Sequence, residues 1–212
     1  MIPAVVLAAG RSTRMGRPKA MLPLGPEEMA HLPETFLTRI VRTLLEAGVD
    51  DIVIVLGYEA GAIAASFSAS GLPARLVVND AYDRGQLSSL QTALAVVDRP
   101  GISALLVTLV DVPLVTARTV RAVLDCYRQT HAPVVRPTHG ERHGHPLLID
   151  RSLFAALRAA DPATGAKSVI RAHATALGDL AVDDEGAFID IDTPDDYQSL
   201  IGRRSWEAPR KD

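Results

Sequence analysis

The stretch VVLAAGRSTRMGRPKAMLPLG, Val5 to Gly25, joins a short apolar run to a loop that holds four cations, Arg11, Arg14, Arg17 and Lys19, and no acid. Val5 to Ala9 reads as a buried strand: it is apolar, begins with β-branched residues and is ended by Gly10. A loop leaving the carboxyl end of a first strand, with Gly10 and Gly16 to bring backbone N–H groups close, is built for an anion. Several phosphates suit it best, since Arg pairs oxygens bidentately and Lys adds a compact charge.

Runs of the same kind recur at Ile52 to Leu56, Arg75 to Val78, Ala104 to Val110 and Pro133 to Val135, each bounded by Gly, Pro or Asp. Between them lie residues at helical spacing: Phe36, Leu37, Ile40, Val41, Leu44 and Leu45, then Val120, Val123, Leu124 and Tyr127. Strands alternating with helices predict an α/β fold, a Rossmann-like three-layer α/β/α sandwich with a mostly parallel sheet covered on both faces. Ligands in such sheets bind outside the carboxyl ends of the strands. Residues 133 to 192 are less regular, with strand-like pieces at Pro146 to Ile149 and Phe188 to Asp192 that suggest a substrate-facing flap or an antiparallel extension. Residues 1–201 are expected to form one domain and 202–212 a loose tail.

The chain has 212 residues, 48% of them hydrophobic, and a formal net charge of −3, so the basic loop is a local feature and no nucleic-acid or membrane-surface partner is expected. The single cysteine, Cys126, can make neither an intramolecular disulfide nor a cysteine-based zinc site, which favours a reducing, cytoplasmic setting. MIPAVVLAAG lacks a basic n-region and is too short to span a bilayer.

Known glycine loops do not fit. Gly10 and Gly16 enclose five residues and Arg17 follows, unlike a Walker A loop, and G-x-G-x-x-G is absent. Other segments carry acids or helix starts. LLVTLVDVPLV ends a buried strand with Asp111, a carboxylate that is costly to bury alone and is well explained by a metal. AFIDIDTPDDY places Asp190 and Asp192 two apart on a strand-like piece, hence on one face, which suits a divalent cation. Thr193, Pro194, Asp195 and Asp196 read instead as the capped first turn of a closing helix. RGQLSSLQTAL opens a helix with Gly85, Ser88 and Ser89, where the hydroxyls either meet a phosphate or nucleoside or simply cap the helix.

The string LAAGRSTRMGRPK resembles the L-A-A-G-x-S-x-R-M-G-x-P-K pattern of the nucleotidyltransferases related to molybdenum-cofactor guanylyl- and cytidylyltransferases, the MobA-like family. The resemblance implies a nucleotide-diphospho-sugar transferase type of fold. It gives triphosphate binding to Gly10, Arg14 and Lys19, puts Leu7, Ala8 and Ala9 beside the base, and includes Arg11, Ser12, Met15 and Gly16 in the nucleotide-binding loop. It likens RGQLSSLQTAL to the family's G-x-x-x-S-L segment and Asp111 to the Asp of its G-D-x-P segment, which holds Mg²⁺; here Val110 replaces the Gly. By the same likeness Asp190, with Asp192 behind it, supplies the second metal contact. HGERHGHPLLI invites a zinc reading through His139, His143 and His145. Its G-H-P resembles instead the segment lining the acceptor pocket, so Gly144 and His145 are expected acceptor contacts, with Lys167 at the position of a family Arg.

The implied reaction is attack of a substrate phosphate on the α-phosphorus of a nucleoside triphosphate with pyrophosphate leaving, and Arg14, Lys19 and Asp111 are the expected catalytic residues. LPL after Lys19 leans towards CTP, and the implied enzyme is most similar to molybdenum cofactor cytidylyltransferase: CTP and molybdopterin would be its substrates and a molybdoenzyme the recipient of its product. Transfer to a sugar phosphate or to methylerythritol phosphate is the rival within the class. Outside it stands a non-catalytic nucleotide- or cofactor-binding accessory protein, against which the three acids argue. GPEEMAHLPETFLTRIV departs from the family by extra residues, including Glu27 and Glu28, near where base or acceptor specificity is set.

Overall fold

The computed structural model describes residues 1–24 and 34–202. The extra residues after LPLG, Glu27 and Glu28 among them, and the tail from 203 onwards lie outside these. On either side of residues 25–33 the chain is paired: Leu24 N–H donates to Glu34 C=O at 2.7 Å, and Phe36 N–H to Leu22 C=O at 2.9 Å.

Among the described residues, eight strands form one sheet: β1 (Ala4–Ala8), β2 (Ile52–Leu56), β3 (Arg75–Val78), β4 (Ala104–Leu109), β5 (Val134–His139), β6 (Arg142–His143), β7 (Leu147–Asp150) and β8 (Asp179–Ala181). Their order is β3-β2-β1-β4-β7-β5-β6, with β8 beside β5. β3, β2, β1 and β4 run parallel, whereas β7 is antiparallel to both β4 and β5. The helices are α1 (Phe36–Glu46), α2 (Ala60–Ser68), α3 (Gln86–Val97), α4 (Ala117–Thr130), α5 (Phe154–Arg158), α6 (Gly165–His173) and α7 (Pro194–Gly202).

Alternate residues of each central strand feed opposite cores, which is why the runs are apolar throughout. Val6, Ile54 and Leu106 pack with Leu37, Ile40 and Val41 of α1 and Val120 and Val123 of α4. Val5, Val53 and Leu105 pack on the other face with Leu90 and Leu94 of α3, Phe154 of α5 and Ile170 of α6. Thr35 and Thr38 form a capping box that starts α1, and Thr116 caps α4. The first three strands build outward from β1, and the chain then crosses to place β4 on β1's other side. This reversal opens a crevice at the carboxyl ends of β1 and β4.

The piece around Pro146 to Ile149 is a strand, β7, and supplies the antiparallel extension. Phe188 to Asp192 is not. Residues Glu185–Phe188 form a 3₁₀ turn, and 189–192 pair with no strand among the described residues. The alternation of I and D in this segment therefore does not report a sheet. Asp184, just before the turn, accepts from Thr116 N–H (2.9 Å), Thr116 Oγ1 (2.7 Å) and Thr119 Oγ1 through Oδ2, and from Gly186 N–H (3.1 Å) through Oδ1. These bonds tie the segment to the start of α4 as a strap instead of a strand.

Tyr127 of α4 donates to Asp150 at 2.6 Å, with the Ser103 carbonyl at 3.0 Å, and joins α4 to the sheet. Burial, then the adjacent Asp150 carboxylate, push its phenol up to about 12. Since the folded value exceeds the unfolded one near 10, the phenol's contribution is complete below pH 10 and is lost as pH rises towards 12. Tyr127→Phe should cost about 1–2 kcal/mol at pH 7. Urea unfolding at successive pH values should show the gap from the native protein closing above pH 10; a gap that does not change with pH would refute this linkage.

Candidate functional site

The chain leaving β1 is pinned before it turns. Tyr58 N–H donates to Ala9 C=O at 3.1 Å, and a Cβ on Gly57 would lie 2.7 Å from that oxygen and 2.6 Å from the Tyr82 Cβ. Only glycine allows this approach. The loop then folds on itself: Ser12 has φ 50°, its Oγ accepts from Lys19 N–H (3.2 Å), and its carbonyl accepts from Met15 N–H (2.9 Å). Gly16, with φ 70°, completes the turn.

The four cations do not act alike. The Arg11 guanidinium lies over the rings of Tyr82 (5.3 Å to the centroid) and Tyr58 (5.6 Å), and that of Arg17 over Tyr197 (5.8 Å). Met15 packs against the cluster of Leu22, Phe36, Ile191 and Tyr197, which anchors the loop to α1 and α7. Only Arg14 and Lys19 among the four line the cavity beneath the loop.

That cavity, of ≈ 310 Å³, is the crevice of the strand reversal. Leu7, Ala8, Ala9, Gly10, Ser12, Thr13, Arg14, Pro18, Lys19 and Ala20 line it from β1 and the loop; Tyr82, Gly85, Gln86 and Ser89 line it from the start of α3. Ile63 of α2, Leu109 at the end of β4, Val110 and Asp111 just after it, and Asp192 complete the lining. Arg11, Met15, Gly16 and Ser88 of the expected nucleotide site are absent from this lining. No side chain among the described residues caps α3, and its N-terminus faces the cavity through Gly85 and Gln86, a favourable place for negative charge.

The two hydroxyls after Gly85 are committed differently. Asn79, buried at the end of β3, donates to Ser88 Oγ (2.9 Å) and Ser89 Oγ (3.0 Å), while its own oxygen accepts from Ala81 N–H (3.0 Å). Ser88 Oγ also meets the carbonyls of Gly85 (2.8 Å) and Ala81 (3.0 Å). Ser88 thus holds the turn into α3, and Ser89 reaches the cavity.

At the floor the charges interlock. Lys19 is buried, and its Nζ donates to Asp192 Oδ1 at 2.5 Å and to Asp111 Oδ2 at 3.2 Å. Arg14, largely exposed, holds the other oxygen of Asp192 at 2.9 Å. The hydrogen bond from Lys19, assisted by Arg14, keeps the Asp192 carboxyl below its ordinary value. Asp190 has no hydrogen-bond or ion-pair partner among the described residues. Desolvation, then the charges of Asp111 and Asp192, raise it. The three acids therefore share one electrostatic neighbourhood although no strand aligns them.

Asp111 Oδ1 is buried and accepts no hydrogen bond among the described residues. A buried anionic oxygen left without a partner is costly and marks a place for a cation. Among the described residues no three His, Cys, Asp or Glu side chains converge as a closed metal cage. Two carboxylates suffice for a hard divalent ion that takes its remaining ligands from phosphate and water, so the donor set fits magnesium or manganese.

Gly144, His145 and Lys167, the expected acceptor contacts, lie outside the cavity lining. Gly144 fits under the strap, where a Cβ would meet the Ala187 carbonyl and lie 2.8 Å from the Phe188 ring; His145 N–H donates to Ala187 C=O at 2.8 Å. Burial holds the His145 imidazole below its ordinary value, and its Nδ1 has no partner among the described residues. Lys167 is exposed on α6, which packs against α3 and α5. Sequence reasoning missed Tyr82, Gln86, Ile63 and the Asn79 bracket. Asn79 could have been suspected, as a polar residue ending the apolar run Arg75 to Val78; Tyr82 and Ile63 carry no comparable signal.

A family model described as a MobA-like NTP transferase domain matches residues 4–177. The chain belongs to this family. It is a nucleotidyltransferase enzyme, with the Rossmann-like α/β sandwich that the alternation of strands and helices predicts. Rv0371c from Mycobacterium tuberculosis H37Rv superposes with a TM-score of 0.77 at 30% identity, over 95% of this chain and 98% of that one. A manganese complex of Rv0371c superposes with a TM-score of 0.71. Nicotine blue oxidoreductase from Paenarthrobacter nicotinovorans is 31% identical over 94% of this chain and 96% of its own length. A bifunctional IPC transferase and DIPP synthase from Rubrobacter xylanophilus is 36% identical over 65% of this chain, which spans only 30% of that longer protein. No helix among the described residues is long and apolar enough to cross a membrane.

Proposed function

We propose that this MobA-like enzyme transfers NMP from CTP to a phosphate-bearing acceptor, with molybdopterin as the preferred acceptor and Mg²⁺ as the metal. The observation that carries the reading is the interlocked set of Lys19, Arg14, Asp111 and Asp192 at the floor of the crevice, beneath a loop rich in backbone N–H groups. A triphosphate entering there exchanges carboxylate partners for phosphate ones: Arg14 and Lys19 take up charge that develops on the departing pyrophosphate. Gly10, Ser12 and the N-terminus of α3 hold the triphosphate in line, and Leu7, Ala8 and Ala9 face the base. The attacking phosphate is already an anion, so the site needs no general base.

Asp111 through Oδ1, together with the unpartnered Asp190, would hold the metal, with Asp192 as the alternate ligand. When bound, that ion would neutralise charge on the α-phosphate. The manganese complex of Rv0371c supports a divalent ion in this fold. The near full-length similarity to nicotine blue oxidoreductase leaves reaction chemistry to the residues themselves, and a cluster of hard acids beside two phosphate-binding cations favours transfer.

The test is calorimetric titration of the purified protein, in Mg²⁺, with CTP, GTP, ATP and UTP in turn. Pyrophosphate release would then be followed with molybdopterin, sugar 1-phosphates or methylerythritol phosphate. CTP preference with turnover on the pterin is the expected result. Turnover on a sugar phosphate alone would move the acceptor, and failure of all four nucleotides to bind would overturn the reading.

A further inference from the structure

We infer that Lys19 is an internal stand-in cation whose ammonium keeps divalent metal out of the acid cluster until a triphosphate arrives. The inference rests on the proposed metal role of Asp111. Three observations carry it. Lys19 is buried, and its Nζ bridges Asp111 and Asp192, carboxylates that come from the end of β4 and from the strap. Asp111 offers one oxygen to Lys19 and leaves the other, Oδ1, without a partner among the described residues, so metal and ammonium would share a single carboxylate. Lys19 also lines the cavity where the phosphates would lie, within reach of a flexible four-carbon stem.

Two cations on one carboxylate repel strongly where little water screens them. Metal alone must therefore displace Lys19 from Asp111 or accept its charge nearby. A triphosphate changes the balance in two ways. It gives the ammonium a new anionic partner, and it supplies oxygen ligands to an ion that prefers few carboxylates and several phosphates or waters. Metal and nucleotide then load together, and the site without nucleotide stays neutralised by its own lysine.

The experiment is a titration with Mn²⁺, followed by loss of the electron paramagnetic resonance signal of the free ion, with and without a non-hydrolysable triphosphate analogue, the Mn²⁺ taken up by the analogue alone being measured without protein and subtracted. The native protein should bind Mn²⁺ weakly alone and at least about tenfold more tightly with the analogue. Lys19→Met and Lys19→Gln, two neutral variants of similar length, should bind Mn²⁺ alone about tenfold more tightly than the native protein. Circular dichroism identifies a variant that has not folded, and the other then serves. Asp111→Asn separates the two claims. If it leaves Mn²⁺ affinity with the analogue unchanged, the proposed metal site is wrong. If it abolishes binding while the Lys19 variants bind Mn²⁺ alone no better than the native protein, the metal site stands and the stand-in role is refuted.

Discussion

Asp111→Asn is expected to slow pyrophosphate release at saturating substrates by about a thousandfold while leaving nucleoside triphosphate binding within a few-fold of native. The asymmetry follows from geometry. In the proposed complex the loop, Arg14, Lys19 and the N-terminus of α3 would grip the nucleotide without Asp111, whereas Asp111 places at the floor of the crevice a buried carboxylate oxygen that has no partner among the described residues. An amide keeps the shape and removes the negative charge, so the loss belongs to charge placement and not to packing. Calorimetry with the nucleotide and a pyrophosphate assay on the same preparation read the two parts separately. Native turnover in this variant would mean that the acids are bystanders, and the accessory-protein reading would gain ground.

Gly186→Ala should destabilise the fold by roughly 2–3 kcal/mol and lower turnover further than its unfolded fraction explains. A Cβ there would overlap the Leu114 carbonyl oxygen and lie 2.6 Å from the carbon that bears it. Backbone on both sides leaves no flexible tip to swing aside. The clash lies in the strap that carries Asp190 and Asp192, so relief of it displaces two of the three acids relative to Asp111. The anchors resist this: Asp184 is held by Thr116 and Thr119, and Ile191 N–H donates to Asp111 C=O at 2.8 Å. Urea unfolding gives the stability loss, and pyrophosphate release under fully folding conditions gives the rest. A variant with native stability and native turnover would show that the strap tolerates displacement.

The loop and the sheet were legible from the first twenty-five residues and the spacing of the apolar runs. A strand buried on both faces has to be apolar throughout, and Val5 and Val6 do feed opposite cores. The direction of each loop cation was not legible. Arg11 and Arg17 turn onto Tyr58, Tyr82 and Tyr197, aromatic partners that stand far along the chain. Met15 is likewise taken by a cluster built from α1 and α7. Ser88 and Ser89 look interchangeable as neighbours, yet the helix turns one towards its own start and the other into the cavity.

The segment from Asp184 to Asp192 marks the boundary between the two kinds of information. Its alternating acids imitate a strand, because a period of two is all that local sequence records. Asp184 and Gly186 instead meet the start of α4, some seventy residues earlier, and those contacts bend the chain into a strap. By itself the sequence determined the layered α/β sandwich, the cation-rich loop after the first strand and the presence of Asp111 at a strand end, since each depends on side-chain type and short-range spacing. Only the tertiary structure decided that Lys19 bridges Asp111 and Asp192, that Asp190 stands beside them unpaired among the described residues and that Gly144 and His145 support the strap. Each of these depends on distances between residues that only the packed sheet brings together.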